Sequence, residues 1–373
     1  MRRSPSRVIG EMDRTSTRGP SREGKLSARV LKQISTEVLS AAGLSQADAE
    51  LVADTLVQAD LWGHQSHGLL RLQAYVARLK SGAVAVHGKP SLVRELGPIA
   101  VLDGANAMGQ VVAKAAIDLA VERAKQFGIG AISVRNSNHF GTAMYFTRLA
   151  ARRGCIGFMA TNASPAMPPW GGRTKAVGTN PWSWAAPAGE HVPMILDIAN
   201  TAVARGKIHL ARQRGEQIPE GWALDEQGAS TTSPDAALAG VTLPMAGHKG
   251  YGIALMMDVL AGVLSGSGFG PDVAGPFQSE KPGRVGHFVL ALNIEAFISL
   301  EEFDQRQEEL IASIKRNKLA EGAAEILYPG EREALLADTS AKNGIDLPGE
   351  TIAALEVLCA EYGLPEPHHS SRE

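Results

Sequence analysis

Apolar residues recur along this chain at two periods, and the change of period divides it. Over 26–42, Val30, Leu31, Ile34, Val38 and Leu39 fall on one helical stripe, and Gly43 stops the pattern. Ser45 is a natural N-cap for a second helix, with Asp48 and Glu50 in its first turns. Leu51, Val52, Leu56, Val57 and Leu61 form its buried stripe, and Gly63 ends it. A third helix is predicted over 69–80, closed by Gly82. From 99 the apolar runs become short and β-branched: 99–102, 129–135, 156–162, 182–186, 193–198 and 285–293 read as strands. Helical patterns fill 111–127, 145–151, 201–214 and 253–264, so 129–162 predicts a β-α-β unit. Residues 328–331 read as a turn, and helices over 300–318 and 349–362 close the chain.

Composition changes this picture little. At 373 residues the chain is long enough for two domains. A net charge of −2 gives no case for a nucleic-acid partner or an anionic membrane surface, and no apolar run reaches the roughly 18 residues of a membrane span. Two cysteines, Cys155 and Cys359, cannot make a disulfide framework, which points to a reducing compartment such as the cytoplasm. Residues 1–25 are rich in Arg, Ser, Thr, Pro and Gly without an apolar period, and are expected to be a disordered extension. They contain no hydrophobic segment of the secretory type.

Candidate chemistry gathers at three places. In NSNHFG (136–141), His139 follows a buried strand and precedes a helix, where an open α/β sheet offers its ligand crevice. In HQSHG (64–68), Ser66 and His67 stand at a predicted helix start, and Arg71 one turn later is a bidentate donor for a carboxylate or phosphate. Asp197, in an apolar strand, needs a hydrogen-bond donor or a cation. GHKGYG (247–252) combines a close-approach turn with Lys249 at a helix start, where a phosphate or nicotinamide amide could sit. The basic run Arg205, Lys207, His209, Arg212 and Arg214 reads either as a solvated face or as a lining for cofactor phosphates. No G-x-G-x-x-G follows a strand, and there is no G-x-x-x-x-G-K-[ST], C-x-x-C or H-E-x-x-H. A metal set of His64, His67, His139 and Asp197 is conceivable, but no metal is expected.

Seven segments in order resemble the type-2 malate/L-lactate dehydrogenase family: SHGLLR (66–71), NSNHFG (136–141), MPPWG (167–171), GTNP (178–181), ILDI (195–198) with ARGK (204–207), GHKGYG (247–252) and YPGE (328–331). The resemblance covers about 26–363. It implies an α/β (α+β) fold with a mixed sheet in a non-Rossmann NAD(P)-binding domain, expected over 106–294. It also implies a mainly helical domain, expected to combine 26–105 with 295–365. The implied activity is hydride transfer between NAD or NADP and C2 of a small 2-hydroxy or 2-oxo acid; reduction of a cyclic imino acid in the same pocket is the alternative, and a metal-dependent hydrolase a more distant one. The resemblance assigns catalysis to His139, or to a relay of Ser66, His67 and Asp197. It assigns substrate binding to Arg71, with Asn162 and Thr179, and cofactor binding to Pro193, Ile195, Asp197, Ala199, His248, Lys249, Gly330, Glu331 and Arg332. It also implies a homodimer.

Overall fold

The computed structural model describes residues 25–367; apart from Lys25, the extension expected at the N terminus lies outside the described residues. The elements run α1 (Ala28–Ala41), α2 (Gln46–Leu61), α3 (Leu72–Lys80), β1 (Ser91–Leu96), β2 (Ile99–Asp103), α4 (Gly109–Phe127), β3 (Ile129–Ser137) and α5 (Met144–Ala151). Then follow β4 (Cys155–Thr161), β5 (Pro165–Met167), β6 (Val177–Gly178), β7 (Trp182–Ala186), β8 (Met194–Ile198) and α6 (Arg205–Arg214). The chain continues with β9 (Ala223–Leu224), α7 (Pro234–Ala239), β10 (Val241–Thr242), α8 (His248–Asp258), β11 (Val285–Asn293), α9 (Leu300–Lys315), α10 (Glu331–Asn343) and α11 (Gly349–Tyr362).

Seven strands form one mixed sheet in the order β1-β2-β3-β11-β4-β7-β8. The α/β class and the mixed sheet expected above are those observed. Strands β2 and β3 pair in parallel through α4, whereas β3 and β4 never touch, because β11 lies antiparallel between them. The expected β-α-β unit over 129–162 is therefore opened by a strand encoded far downstream. Alternate residues of β11 point to opposite faces. Val289 and Ala291 join the core formed with α4 and α5, and Gly286 abuts the π-helical turn Val259–Val263 that prolongs α8.

A second core joins α1, α2 and α3 to α11 through Leu31, Val38, Leu56, Tyr75, Leu355 and Leu358. Ser27 and Ser45 cap α1 and α2 by accepting from Val30 N and Asp48 N, as N-cap hydroxyls do. Two expected boundaries move. The sheet begins at Ser91 rather than after 105, since β1 and β2 pair with it. Ile311 of α9 packs with Ala188 and Tyr328 beside the β7–β8 hairpin, so not all of 295–365 joins the N-terminal helices. Residues 331–343, left without an element by their polar sequence, form α10, which packs on α2.

Candidate active site

The strand register brings the candidate loops to one edge of the sheet. Val285 pairs with Ser137, His287 with Thr161, Ala160 with Trp182, and Trp182 with Ile198. The loops holding His139, Asn162, Thr179 and Ala199 therefore all leave the same edge. At β3 this edge carries a bulge between Val285 and His287, where Asn136 adopts a positive φ of 53°. The bulge turns the loop so that His139 swings toward α3. Only glycine at 109 lets α4 begin against that loop: a Cβ there would stand 2.4 Å from the His139 carbonyl oxygen.

The imidazoles of His67 and His139 stack with centroids 5.6 Å apart and planes 21° from parallel. His139 is held from the other side by Tyr75, whose hydroxyl lies 2.7 Å from Nδ1, and Gly141 N donates to the same Nδ1 at 3.3 Å. A backbone N–H can only donate, so Nδ1 accepts and the ring proton of neutral His139 resides on Nε2. Burial raises the Tyr75 phenol to about 12, which keeps it a donor. Burial, then the Arg71 charge, hold both histidines below their ordinary value, with His64 adding to the effect on His67 and His67 to that on His139, so both are neutral at pH 7.

The His67 loop is shaped by Asp60 of α2. Its carboxylate accepts from Leu69 N at 2.8 Å, and a Cβ on Gly68 would collide with it. The helix predicted over 69–80 consequently starts as two 3-10 turns, Gln65–His67 and Leu69–Arg71, before α3. Ser66 is not an N-cap; its hydroxyl pairs with His67 Nδ1 at 2.8 Å. Arg71 Nε donates to Ser66 O at 2.7 Å, and its guanidinium lies 4.7 Å over the Phe277 ring. Among the described residues no carboxylate pairs with it, so its terminal nitrogens remain for a ligand. A cavity of about 340 Å³ next to Phe277 is walled by Ser164, Gln278 and Lys281. Buried Arg78 tethers that wall to the site, donating to the carbonyls of Gly275 and Gln278 and to Asn138 Oδ1.

Not every expected residue joins this pocket. Asp197 Oδ2 accepts from Met144 N at 2.8 Å, and burial raises its pKa to about 6. Among the described residues Ser66 pairs with His67, and no hydrogen bond joins His67 to Asp197. Asn162 spends its whole amide internally: Nδ2 donates to Asp258 Oδ1 and Gly268 O, and Oδ1 accepts from Gly286 N. It ties loops together rather than facing a substrate. The Thr179 carbonyl is taken by Asn200 N and Nδ2. His64 pairs with Glu333 at 3.6 Å while His67 and His139 stack, so the conceivable metal set does not converge.

The cofactor candidates line β8 and its surroundings. Gly330, with φ 90°, docks on the strand: Ile195 N donates to Pro329 O, and a Cβ on Gly330 would come within 3.0 Å of Ile195 N. Beyond the strand, Met245 N donates to Asn200 O, which leads to His248 and Lys249 at the start of α8, beside Trp170. Glu331 pairs with Lys315 at 2.6 Å. The basic helix α6 belongs to a separate small cluster with α7, its cations mostly exposed. Pro193, Ile195 and Gly330 line a cleft of about 320 Å³, and the start of α8 suits a phosphate, which fits the expected cofactor.

The sequence reading missed Tyr75 and His287. The latter is wholly buried and bridges Thr161 Oγ1 at 2.8 Å and Ser137 Oγ at 2.7 Å, under the Phe140 ring at 4.8 Å. Tyr75 falls on the buried stripe of α3, where an aromatic reads as core. A lone His in an apolar strand offers no signal of its two hydroxyl partners.

Neutral imidazoles beneath an unpaired guanidinium suit proton delivery to a small acid, and the sheet places this α/β enzyme outside the Rossmann class. The family profile described as malate/L-lactate dehydrogenase matches residues 26–356, and the chain belongs to that family of oxidoreductases. It is 40% identical over 335 residues to a malate dehydrogenase of Pyrococcus abyssi, covering 88% of this chain and 92% of that protein. The solved sulfolactate dehydrogenase of Methanocaldococcus jannaschii superposes with a TM-score of 0.87 at 39% identity, covering 91% of this chain and 98% of that one. The expected nicotinamide cofactor, NAD or NADP, agrees with two further relatives, each 36% identical. One is an NAD(+) ureidoglycolate dehydrogenase of Escherichia coli (87% of this chain, 92% of that protein), the other an NADP(+) (2R)-3-sulfolactate dehydrogenase of Chromohalobacter salexigens (72% and 80%). A delta1-piperideine-2-carboxylate reductase of Pseudomonas syringae also shares the fold, with a TM-score of 0.79 at 26% identity over 90% of this chain and all of that one.

Proposed function

We propose that the chain interconverts a small 2-hydroxy acid and its 2-oxo acid with NAD or NADP. The observation that carries this reading is Arg71, free of any carboxylate among the described residues and set against the stacked His67 and His139. Its terminal nitrogens grip the substrate carboxylate in a paired geometry. The nicotinamide supplies or accepts the hydride at C2 when bound. His139 takes up a proton from solvent at Nδ1 and delivers its Nε2 proton to the C2 oxygen, so the ring ends neutral; Tyr75, a donor to Nδ1 in the resting ring, accepts from it in the protonated one. The substrate carboxylate offsets the Arg71 charge that disfavours an imidazolium, so substrate binding itself makes a protonated histidine less costly. His67, buttressed by Ser66, stacks behind the ring that reacts.

The test follows NADH and NADPH absorbance with oxaloacetate, pyruvate and 3-sulfopyruvate, using the native chain and His139→Gln. Turnover is expected with at least one acid, and a fall of about 10²–10⁴-fold in the variant with cofactor affinity retained. Full activity in both His139→Gln and His67→Gln would overturn the assignment. Reduction of a cyclic imino acid is the second reading, favoured by the Pseudomonas reductase of like fold; delta1-piperideine-2-carboxylate in the same panel separates them.

The same proposal includes a homodimer in a reducing, cytoplasmic setting. Leu255, Met256, Val259 and Val263 form an exposed apolar stripe on α8 and its π turn, which a second copy would cover. Cys155 and Cys359 are free and buried. No helix of the described residues is long and apolar enough to cross a membrane. Light scattering on the purified chain reads the dimer directly.

A further inference from the structure

A second cleft, of about 320 Å³, opens between α2, α5, α10 and the start of β8. Its walls include Trp62, Arg148, Arg152, Pro193, Gly330 and Ala334. Arg148 lies 4.7 Å over the Trp62 ring and 5.4 Å over Tyr145, and its one polar contact is a long 3.4 Å bond to Gln58. Among the described residues neither Arg148 nor Arg152 has a carboxylate within salt-bridge distance, and Arg148 Nε is buried without a partner. Two like charges one helical turn apart repel. Nearby Arg153, by contrast, pairs with Asp118.

The acids nearby are engaged elsewhere. In the first turn of α10, Glu331 pairs with Lys315 and Glu333 with His64. Asp338 is the one carboxylate among the cleft residues, exposed and two turns along α10. The small side chains of Ala334, Ala337 and Ala341 leave the α10 wall low. Chain connectivity links the cleft to the reacting loops. α5 starts directly after the His139 loop, Met144 N holds Asp197, and Arg148 and Arg152 follow one and two turns away. β8 runs the same way, from Asp197 back to Ile195 and Pro193.

We propose that Arg148 and Arg152 bind a phosphate group of the dinucleotide, with the Trp62 face holding Arg148 in place. This rests on the nicotinamide-dependent reading above and adds to it Arg148 of α5, Arg152 just after that helix and Trp62 just after α2. The ligand chemistry is a phosphoryl group; it can be the pyrophosphate shared by NADH and NADPH or the 2′-phosphate of NADPH alone.

The test measures equilibrium binding by calorimetry of NADH, NADPH, ADP-ribose and 2′,5′-ADP to the native chain, Arg148→Met, Arg152→Ala and the control Arg153→Ala. Arg148→Met keeps an unbranched side chain on Trp62, so a folded protein is retained where alanine would leave a void. Each cleft variant is expected to lose roughly 10- to 100-fold in affinity, the worth of one guanidinium–phosphate contact, and the control to lose none. Equal losses for NADH, NADPH and ADP-ribose assign the pyrophosphate; loss confined to NADPH and 2′,5′-ADP assigns the 2′-phosphate. Unchanged affinities for all four ligands in both variants overturn the proposal while leaving the cofactor reading intact. Failure of the native chain to bind either NADH or NADPH would instead sink the cofactor reading itself.

Discussion

Replacing Arg71 by Met tests the active site at its centre. The substitution keeps a long side chain to cover Phe277 but removes the guanidinium, with two consequences of opposite kind. The substrate carboxylate loses a paired, charge-assisted contact; at about 1.5–3 kcal/mol for each such bond, kcat/KM should fall roughly 10²- to 10⁴-fold. The histidines lose a cation that disfavours their charged form. The sign is fixed: removing a positive charge raises the pKa of His67 and His139, both of which the Arg71 charge lowers. Ring-proton NMR across pH 4 to 8, on native and R71M protein, reads that shift apart from any activity. Histidine titrations that coincide in the two proteins, or a kcat/KM within tenfold of native for a 2-oxo acid, would refute the account of Arg71.

Tyr75→Phe removes the shorter of the two contacts to His139 Nδ1 and leaves only Gly141 N to orient the ring; kcat should drop about 10- to 100-fold at little cost to cofactor affinity, as steady-state kinetics beside a binding titration would reveal. His287→Leu removes the imidazole bridge between the Thr161 and Ser137 hydroxyls, which keep only backbone carbonyls as partners, and urea unfolding should record a loss of about 1–3 kcal/mol. Asp60 is raised to about 7 by burial, so the folded chain retains a proton that the unfolded chain releases from about pH 4 upward. Stability should therefore decline as pH rises from about 4 to 7, by a few kcal/mol at most, and Asp60→Asn should flatten that slope in thermal melts.

How much of this was legible beforehand follows from which forces are local. Helices α1, α2 and α4 and the apolar strands announced themselves, since each stripe or run is set by neighbours in sequence. The candidate residues on the His139 and His67 loops were found because their chemistry sits in short motifs, and the structure stacks those two rings. Three things escaped. The start of α3 depends on Asp60, eight residues before Gly68, and no local pattern reports that contact. Helix α10 buries none of its side chains fully, so its periodicity is faint. The donor to Asp197 is Met144 N, a contact fixed by how α5 meets β8. Long-range pairing decided all three.

The position of β11 sets the order in which this enzyme comes into being. The strands before it, β3 and β4, meet only through residues 285–293, made some 150 positions after His139. A nascent chain on the ribosome can form its N-terminal helices and the β2–α4–β3 unit early. Its catalytic edge has to wait as an open seam, with two strand flanks unpaired, until β11 emerges and zips into place. Synthesis of this protein therefore carries a built-in late step, and a product ended before residue 293 has histidines but no active site.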